Sequence, residues 1–261
     1  MGRLDHLILT LTDLRHLGLR FAWAALMRWR RPLPYAVAIE GVGDVWVRGR
    51  DSDLDTLRTV FIHRDYELPA AVQERLSTRY DAIRAAGKQP LIVDAGANTG
   101  MSALWFARLY PEAIILAVEP DPATLAMLDR NVERFPDIRV VRAAIGSEAG
   151  TVALEHGHAS DATRTVRSDS GMQVTTFAEL LASAPDAVPF IAKIDIEGFE
   201  ADLFACNTGW IDDFYAIAVE LHDWMLPGQR SSGSFQAAMA AHDGFEVFLK
   251  GENLIYVRLN A

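Results

Sequence analysis

One cysteine, Cys206, stands in 261 residues, so an internal disulfide is excluded and a reducing cytoplasm is the compartment expected. Cys206 falls in a helical pattern, where a buried, inert thiol is expected rather than a nucleophile. The chain has no run of about eighteen uninterrupted apolar residues, and no membrane span is expected. The N-terminus lacks a compact charged region followed by a small-residue cleavage site, so no signal peptide is expected either. Basic residues are in the minority, 25 Lys and Arg against 35 Asp and Glu, a net charge of −10. That balance argues against a nucleic-acid binder of the general electrostatic kind. No internal repeat and no low-complexity tract is found.

Half of the residues are hydrophobic and 23% are charged, which is enough apolar material for a sizeable core. The length fits one large domain with an N-terminal extension. We place the extension at 1–88 and the main domain at 89–261. Within the extension, Leu4, Leu7, Ile8, Leu11, Leu14, Phe21 and Ala25 recur at helical steps over 3–30. Residues 20–31 mix Phe21, Trp23 and Trp29 with Arg20, Arg28, Arg30 and Arg31. Two readings stay open there: a helix on an anionic membrane surface, or one packed on the main domain or on a second subunit of a homodimer. Pro32 and Pro34 end it. Tyr35–Glu40 and Asp44–Arg48 alternate around Gly41-Val42-Gly43 and predict a hairpin. A helix capped near Asp51–Asp55 follows, with Leu54, Leu57, Val60 and Phe61 on it, and another spans 70–86. The whole extension reads as a cover for the site, with His63 and Tyr66 as closing residues.

The chain centres on Leu91-Ile92-Val93-Asp94-Ala95-Gly96-Ala97-Asn98-Thr99-Gly100, followed by a helical stretch to Leu109. A strand, a tight glycine turn and a helix in that order begin the nucleotide site of a doubly wound sheet. The helix start offers unpaired N–H groups to an anionic group. Strands at 113–119, 138–143, 190–195 and 214–222 alternate with helices at 122–135, 176–184, 197–207 and 232–242. Short β pieces at 151–155 and 172–175 flank a loop, 156–171, long enough to form a lid with His156, His158, Ser160 and Asp161. The segments 245–250 and 254–259 close the chain as an antiparallel hairpin. The fold expected is α/β, a Rossmann-like, seven-stranded, mostly parallel sheet with helices on both faces, a terminal antiparallel hairpin and the N-terminal helical and β-hairpin extension.

The glycine spacing, Gly96-x-x-x-Gly100, is neither the dinucleotide fingerprint, which needs a third glycine, nor a phosphate-binding Walker loop. A second acid strengthens the case for a nucleoside cofactor. Glu119 ends the second strand, nineteen positions after Gly100. A carboxylate there accepts hydrogen bonds from both hydroxyls of an unphosphorylated ribose. Pro120 and Asp121 shape the turn and cap the next helix.

Val93-Asp94-Ala95-Gly96-Ala97-Asn98-Thr99-Gly100, then Val118-Glu119-Pro120, then Lys193-Ile194-Asp195-Ile196-Glu197-Gly198-Phe199-Glu200 resemble the FkbM family of S-adenosylmethionine-dependent methyltransferases. The likeness covers about residues 45–258. It implies a class I methyltransferase sheet and O-methylation of a hydroxyl on a sugar, glycan or natural product, with S-adenosylmethionine as cofactor. It also implies that Asp94 and Gly96, Ala97, Asn98, Thr99 and Gly100 hold the methionine part. Glu119 would hold the ribose, Pro120 and Asp121 would lie near the adenosine, and Ala143 and Ala144 would form a small-residue wall for the adenine. In such enzymes a preceding polar residue more usually hydrogen-bonds the base.

Methyl transfer from a sulfonium is an in-line displacement, mostly a matter of alignment. A nearby base helps a hydroxyl acceptor. Asp195, at the end of the fourth strand, is placed to take the hydroxyl proton or steady the sulfonium. Glu197 shares that face or caps the helix starting at Gly198. Glu220 and His222 share a face of the fifth strand near its end, and His222 is a candidate base. Lys193 is expected to be a buried pairing residue. Asp195, Glu220 and His222 also have the chemistry of divalent-metal ligands, but spacing across two strands is not diagnostic and no metal is counted in the expected site. The competing readings are a nicotinamide-dependent oxidoreductase, opposed by the missing third glycine, and a non-catalytic binding module, opposed by Asp94, Glu119 and Asp195. No motif for N-methylation follows the fourth strand.

Overall fold

The computed structural model describes residues 34–48, 52–156, 163–224 and 227–259. The expected helices over 3–30, with the membrane or subunit face at 20–31, lie outside the described residues. So do His158, Ser160 and Asp161 and the side chain of His156.

Period-two burial sets the main sheet. In β3 (Gln89–Ala95), Ile92 points to one core, and Leu91, Val93 and Ala95 to the other. The same split recurs in β4 (Ile114–Val118), where Ile115 and Ala117 oppose Ile114, Leu116 and Val118. Strands buried on both faces belong inside a parallel sheet with helices on either side. Each such valine or isoleucine contributes about 1.5–3 kcal/mol on burial. The parallel strands are completed by β5 (Ile138–Val141), β10 (Ala187–Ile194) and β11 (Ala216–Glu220). The hairpin β12 (Phe245–Lys250) and β13 (Asn253–Arg258) closes the sheet antiparallel to β11. The order β12-β13-β11-β10-β3-β4-β5 is the expected seven-stranded, mostly parallel class I arrangement.

The order in which strands are added reverses between the parallel neighbours β3 and β10, since β3 leads on to β4 and β5 on one side and has β10 and β11 on the other. Lys193 pairs with Asp94, and Ala95 with Val118. The strand tips therefore end level, and the crevice between them is where an open α/β sheet takes its ligand. Two helices frame it: α3 (Met101–Leu109) after β3, and α4 (Pro122–Val132) after β4. The helix numbering begins with α1 (Asp53–Arg58) and α2 (Ala70–Ala85) before the sheet.

The hairpin β1 (Tyr35–Ile39) and β2 (Gly43–Val47) is tied to α4. Asn131 accepts from the Trp46 amide at 2.7 Å and donates to the Trp46 carbonyl at 3.0 Å and the Thr99 carbonyl at 2.8 Å. One buried cluster joins Val37, Val45, Leu54, Leu57 and Leu76 of this region to Ile92 and Leu104 of the main sheet and its helix.

Several expectations are corrected. The lid loop contains a strand, β8 (Thr163–Arg167), paired with β7 (Gly150–His156). With β6 (Ala144–Ile145) and β9 (Met172–Thr175) it forms a separate four-stranded sheet. Thr165 and Val166 are only partly buried, so β8 lacks the apolar alternation that marks a strand in sequence. The helix expected from 197 begins at Glu200 and ends at Leu203, as α6, after α5 (Phe177–Ala182). Cys206 lies beyond it and is exposed, not buried. The helix after Ser52 widens into a π-helical turn, Thr59–His63. The last helix, α7, is Gly233–Ala240. No helix among the described residues is long and apolar enough to cross a membrane.

Candidate active site

A cleft of about 760 Å³ opens at the tips of β3, β4 and β10. Of the residues expected from sequence, Gly96, Asn98, Glu119, Pro120, Asp121, Ala143, Ala144, Asp195 and Glu197 line it. Arg48, Thr124, Thr165 and Phe199 line it too and were not foreseen. Thr165 comes from the strand hidden in the expected loop. Arg48 comes from the end of the hairpin, where nothing in its sequence neighbourhood marks it.

Glu119 stands at the tip of β4, 7% exposed. Its Oε2 accepts from the Asn98 amide and its Oε1 from the Asp121 amide, each at 2.9 Å. Burial pushes its carboxyl up to about 7, against the opposing effect of those two amides. Each oxygen keeps a lone pair for another donor. Asp121 holds the start of α4, accepting from the Ala123 amide at 3.0 Å and the Thr124 hydroxyl at 3.1 Å.

Asp94, Ala97, Thr99 and Gly100 do not line the cleft. Asp94 is fully buried behind the loop, accepts from the Ser102 hydroxyl at 2.6 Å and pairs with Lys193 at 3.2 Å. Ala97 and Thr99 are each 1% exposed. The glycines answer to packing. At Gly96, with φ of +75°, a Cβ would lie 1.7 Å from the Asp195 carbonyl oxygen. At Gly100, with φ of +90°, a Cβ would press on Leu128. The loop is thus bent by its protein neighbours, and only Gly96 and Asn98 present their surface to the cleft.

Lys193 is the buried pairing residue expected. Its ammonium donates to the Gly96 carbonyl at 2.6 Å and sits 3.5 Å from Asp195 Oδ2. Burial opposes its charge, but Asp94 and Asp195 hold it protonated well above the ordinary lysine range. Asp195 follows β10 directly. Burial raises its carboxyl, although Lys193 works the other way. Glu197 is raised to about 8, first by burial and then by the Asp195 charge. Its backbone is left-handed, φ +51°, an uncommon conformation for a side-chain-bearing residue and one that clusters at functional sites.

His222, just past β11, is buried beside this group. Its Nδ1 lies 2.8 Å from Glu200 Oε1. Its Nε2 faces Asp195 Oδ1 at 3.5 Å, Glu220 Oε1 at 3.6 Å and Glu197 Oε2 at 3.9 Å. Burial disfavours the imidazolium, yet the Glu200 and Glu220 carboxylates raise the ring to about 11. Those carboxylates favour the imidazolium over the neutral ring. Glu200, fully buried, was missed by sequence reading because a helix-starting acid is ordinarily solvated. Tyr66 reaches this region from the extension, packed on Phe106 with ring centroids 5.3 Å apart. His63 is exposed. Trp224, 71% exposed, stands beside the His222 ring at 6.2 Å.

A family model described as the methyltransferase FkbM domain matches residues 94–250. Methyltransferase sdnD of Sordaria araneosa is 40% identical over 70 residues, 26% of this chain and 27% of that protein. Hexuronic acid methyltransferase AglP of Haloferax volcanii is 26% identical over 149 residues, 56% of this chain and 61% of that protein. Methyltransferase 1 of Beauveria bassiana is 29% identical over 139 residues, 43% of this chain and 56% of that protein. Each match spans less than two thirds of the relative's own length.

Proposed function

The chain belongs to the FkbM methyltransferase family, and from that premise we propose that it is an S-adenosylmethionine-dependent O-methyltransferase acting on a hydroxyl of a sugar, glycan or natural product. The observation that carries the reading is Glu119: a buried carboxylate at a strand tip, fixed by two amides, with acceptor capacity left over at the ligand crevice. That is what the two hydroxyls of a ribose need. Ala143 and Ala144 leave room along the same wall for a flat base, and Asp121 stands between. The residues therefore fit the nucleoside.

S-adenosylmethionine supplies an activated methyl: a C–O bond forms as the C–S pair leaves to sulfur, and the hydroxyl proton passes to the protein. In this reading Gly96 and Asn98 bound the methionine end. Asp94 acts from behind by fixing Lys193, and Lys193 fixes the Gly96 carbonyl. Asp195 sits between two cations, Lys193 and His222, each at 3.5 Å, so it is an electrostatic and positioning group. Glu197 has one cation within ion-pair reach among the described residues, His222 at 3.9 Å, and is the better proton acceptor.

The acceptor class has two supports. One relative is named for a hexuronic acid. Trp224 offers an exposed ring next to the site, on which the apolar face of a sugar can lie. The test is transfer of a labelled methyl from S-adenosylmethionine to glycans bearing uronic acids, with the product identified by mass spectrometry. Expected is the gain of one methyl on oxygen, abolished by heating the enzyme. Transfer to nitrogen only, or to nothing in a broad glycan and natural-product panel, would overturn the reading.

A further inference from the structure

Sugar acids pose a difficulty for the acceptor side as it stands. Asp195, Glu197, Glu220 and Glu200 surround it, and the cations facing them are Lys193 and His222. Lys193 is already held by Asp94 and the Gly96 carbonyl. A carboxylate-bearing acceptor entering there would meet like charge in a setting of low dielectric, where repulsion is strong.

One ligand set answers this. Asp195, Glu220 and His222 each aim a donor atom into the same space, with those atoms all within 4.8 Å of one another. They come from the carboxyl ends of two adjacent strands, β10 and β11, brought level by their parallel register, Ile194 beside Val219. His222 is buried to 2% exposure, and the three carboxylate oxygens facing its Nε2 stand off at 3.5–3.9 Å. That spacing is too long for good hydrogen bonds. It suits donors that share an ion placed about 2.1 Å from each. Asp195 Oδ1 is buried without a hydrogen-bond partner. The other ring nitrogen, Nδ1, is fixed at 2.8 Å by Glu200, which is fully buried. Metal-binding histidines are oriented in this way by a carboxylate behind them.

We propose that Asp195, Glu220 and His222 hold a divalent first-row cation such as Mn²⁺, the ion displacing the Nε2 proton of His222 to solvent as it binds and leaving open positions for two neighbouring oxygens of the acceptor. The mixed oxygen and imidazole set favours Mn²⁺, Fe²⁺ or Zn²⁺ over Mg²⁺. A cation there would neutralise the acid-lined floor, chelate a hydroxyl together with an adjacent hydroxyl or carboxylate, and ease loss of the hydroxyl proton. The role in acceptor binding rests on the O-methyl-transfer reading above; the metal site itself does not.

The test is calorimetric titration of the chelator-stripped full chain with MnCl₂, without nucleoside or acceptor. The wild type is expected to bind one Mn²⁺ saturably. Glu220→Gln is expected to weaken binding by roughly a hundredfold or more, and Glu200→Gln, whose carboxylate holds the ring and the Gly198 amide from behind, by about 10–100-fold. Circular dichroism checks that both variants are folded. Absence of saturable binding by the wild type, or less than about tenfold loss in folded Glu220→Gln, overturns the inference. S-adenosylmethionine affinity is measured in parallel on the stripped protein: its absence would sink the functional reading while leaving a measured metal site intact, and the reverse result would do the opposite.

Discussion

Burial lifts the Glu119 carboxyl to about 7, so near neutrality it is divided between acid and carboxylate. Two ribose hydroxyls donating to it select the ionised form. Below about pH 7 the ligand must therefore first displace a proton, and affinity falls by up to about tenfold per pH unit. Above that value it levels off. Calorimetric titration with S-adenosylmethionine between about pH 5.5 and 8 reads this directly, and Glu119→Gln should flatten the curve. Glu119→Ala also leaves the Asn98 and Asp121 amides without their acceptor, and a loss of about 1–3 kcal/mol in cofactor binding is expected. Unaltered affinity in that variant would undo the ribose assignment. Past the nucleoside the expectation changes kind. Asp195→Asn and Glu197→Gln should leave nucleoside affinity within about threefold while lowering kcat by about 10²-fold or more, the scale of a lost acid–base or electrostatic group. Rapid-quench turnover set against equilibrium binding separates the two effects, and unchanged kcat in either variant removes that residue from the mechanism.

At the scale of elements, the strand–loop–helix unit depends on how closely β3 and β10 approach. Gly96→Ala puts a methyl group into the Asp195 carbonyl in a left-handed backbone. It should destabilise the fold by about 1–3 kcal/mol, seen as a lower urea midpoint, and should weaken cofactor binding by shifting both sides of the crevice together. A midpoint equal to wild type would mean that the loop is not packed as described. This unit was readable from sequence because buried parallel strands write continuous apolar runs, such as Leu91–Val93 and Ile114–Val118. Of the small second sheet, the pieces at 151–155 and 172–175 were readable, but β8 was not, because its threonines and arginines give no apolar alternation to mark a strand. Among site residues, Glu119 announced itself by standing at the end of an apolar run. The inward turn of Glu200 toward His222 did not, because β11 must lie next to β10 before the two residues meet. Gly96 and Gly100 were singled out for the tight turn and for a ligand; the neighbours that forbid a side chain there are Asp195 and Leu128.

For the molecule as a whole, the seven-stranded sheet supplies a level row of strand tips, and the described part of the extension adds to it from outside. The hairpin is bonded through Asn131 to the loop carbonyl of Thr99, Arg48 lines the cleft, and Tyr66 lies against α3. Asp195 thus stands in one cleft with Glu119 and against His222, and in the proposed reading it divides the nucleoside side from the acceptor side. That arrangement makes a single spatial claim. A crystal structure of the full chain with S-adenosylhomocysteine tests it most directly. The ribose hydroxyls are expected within hydrogen-bond reach of Glu119, the base beside Ala143 and Ala144, and the sulfur directed toward Asp195. A ligand bound at any other place, or a cleft that stays empty at saturating nucleoside, would contradict the account.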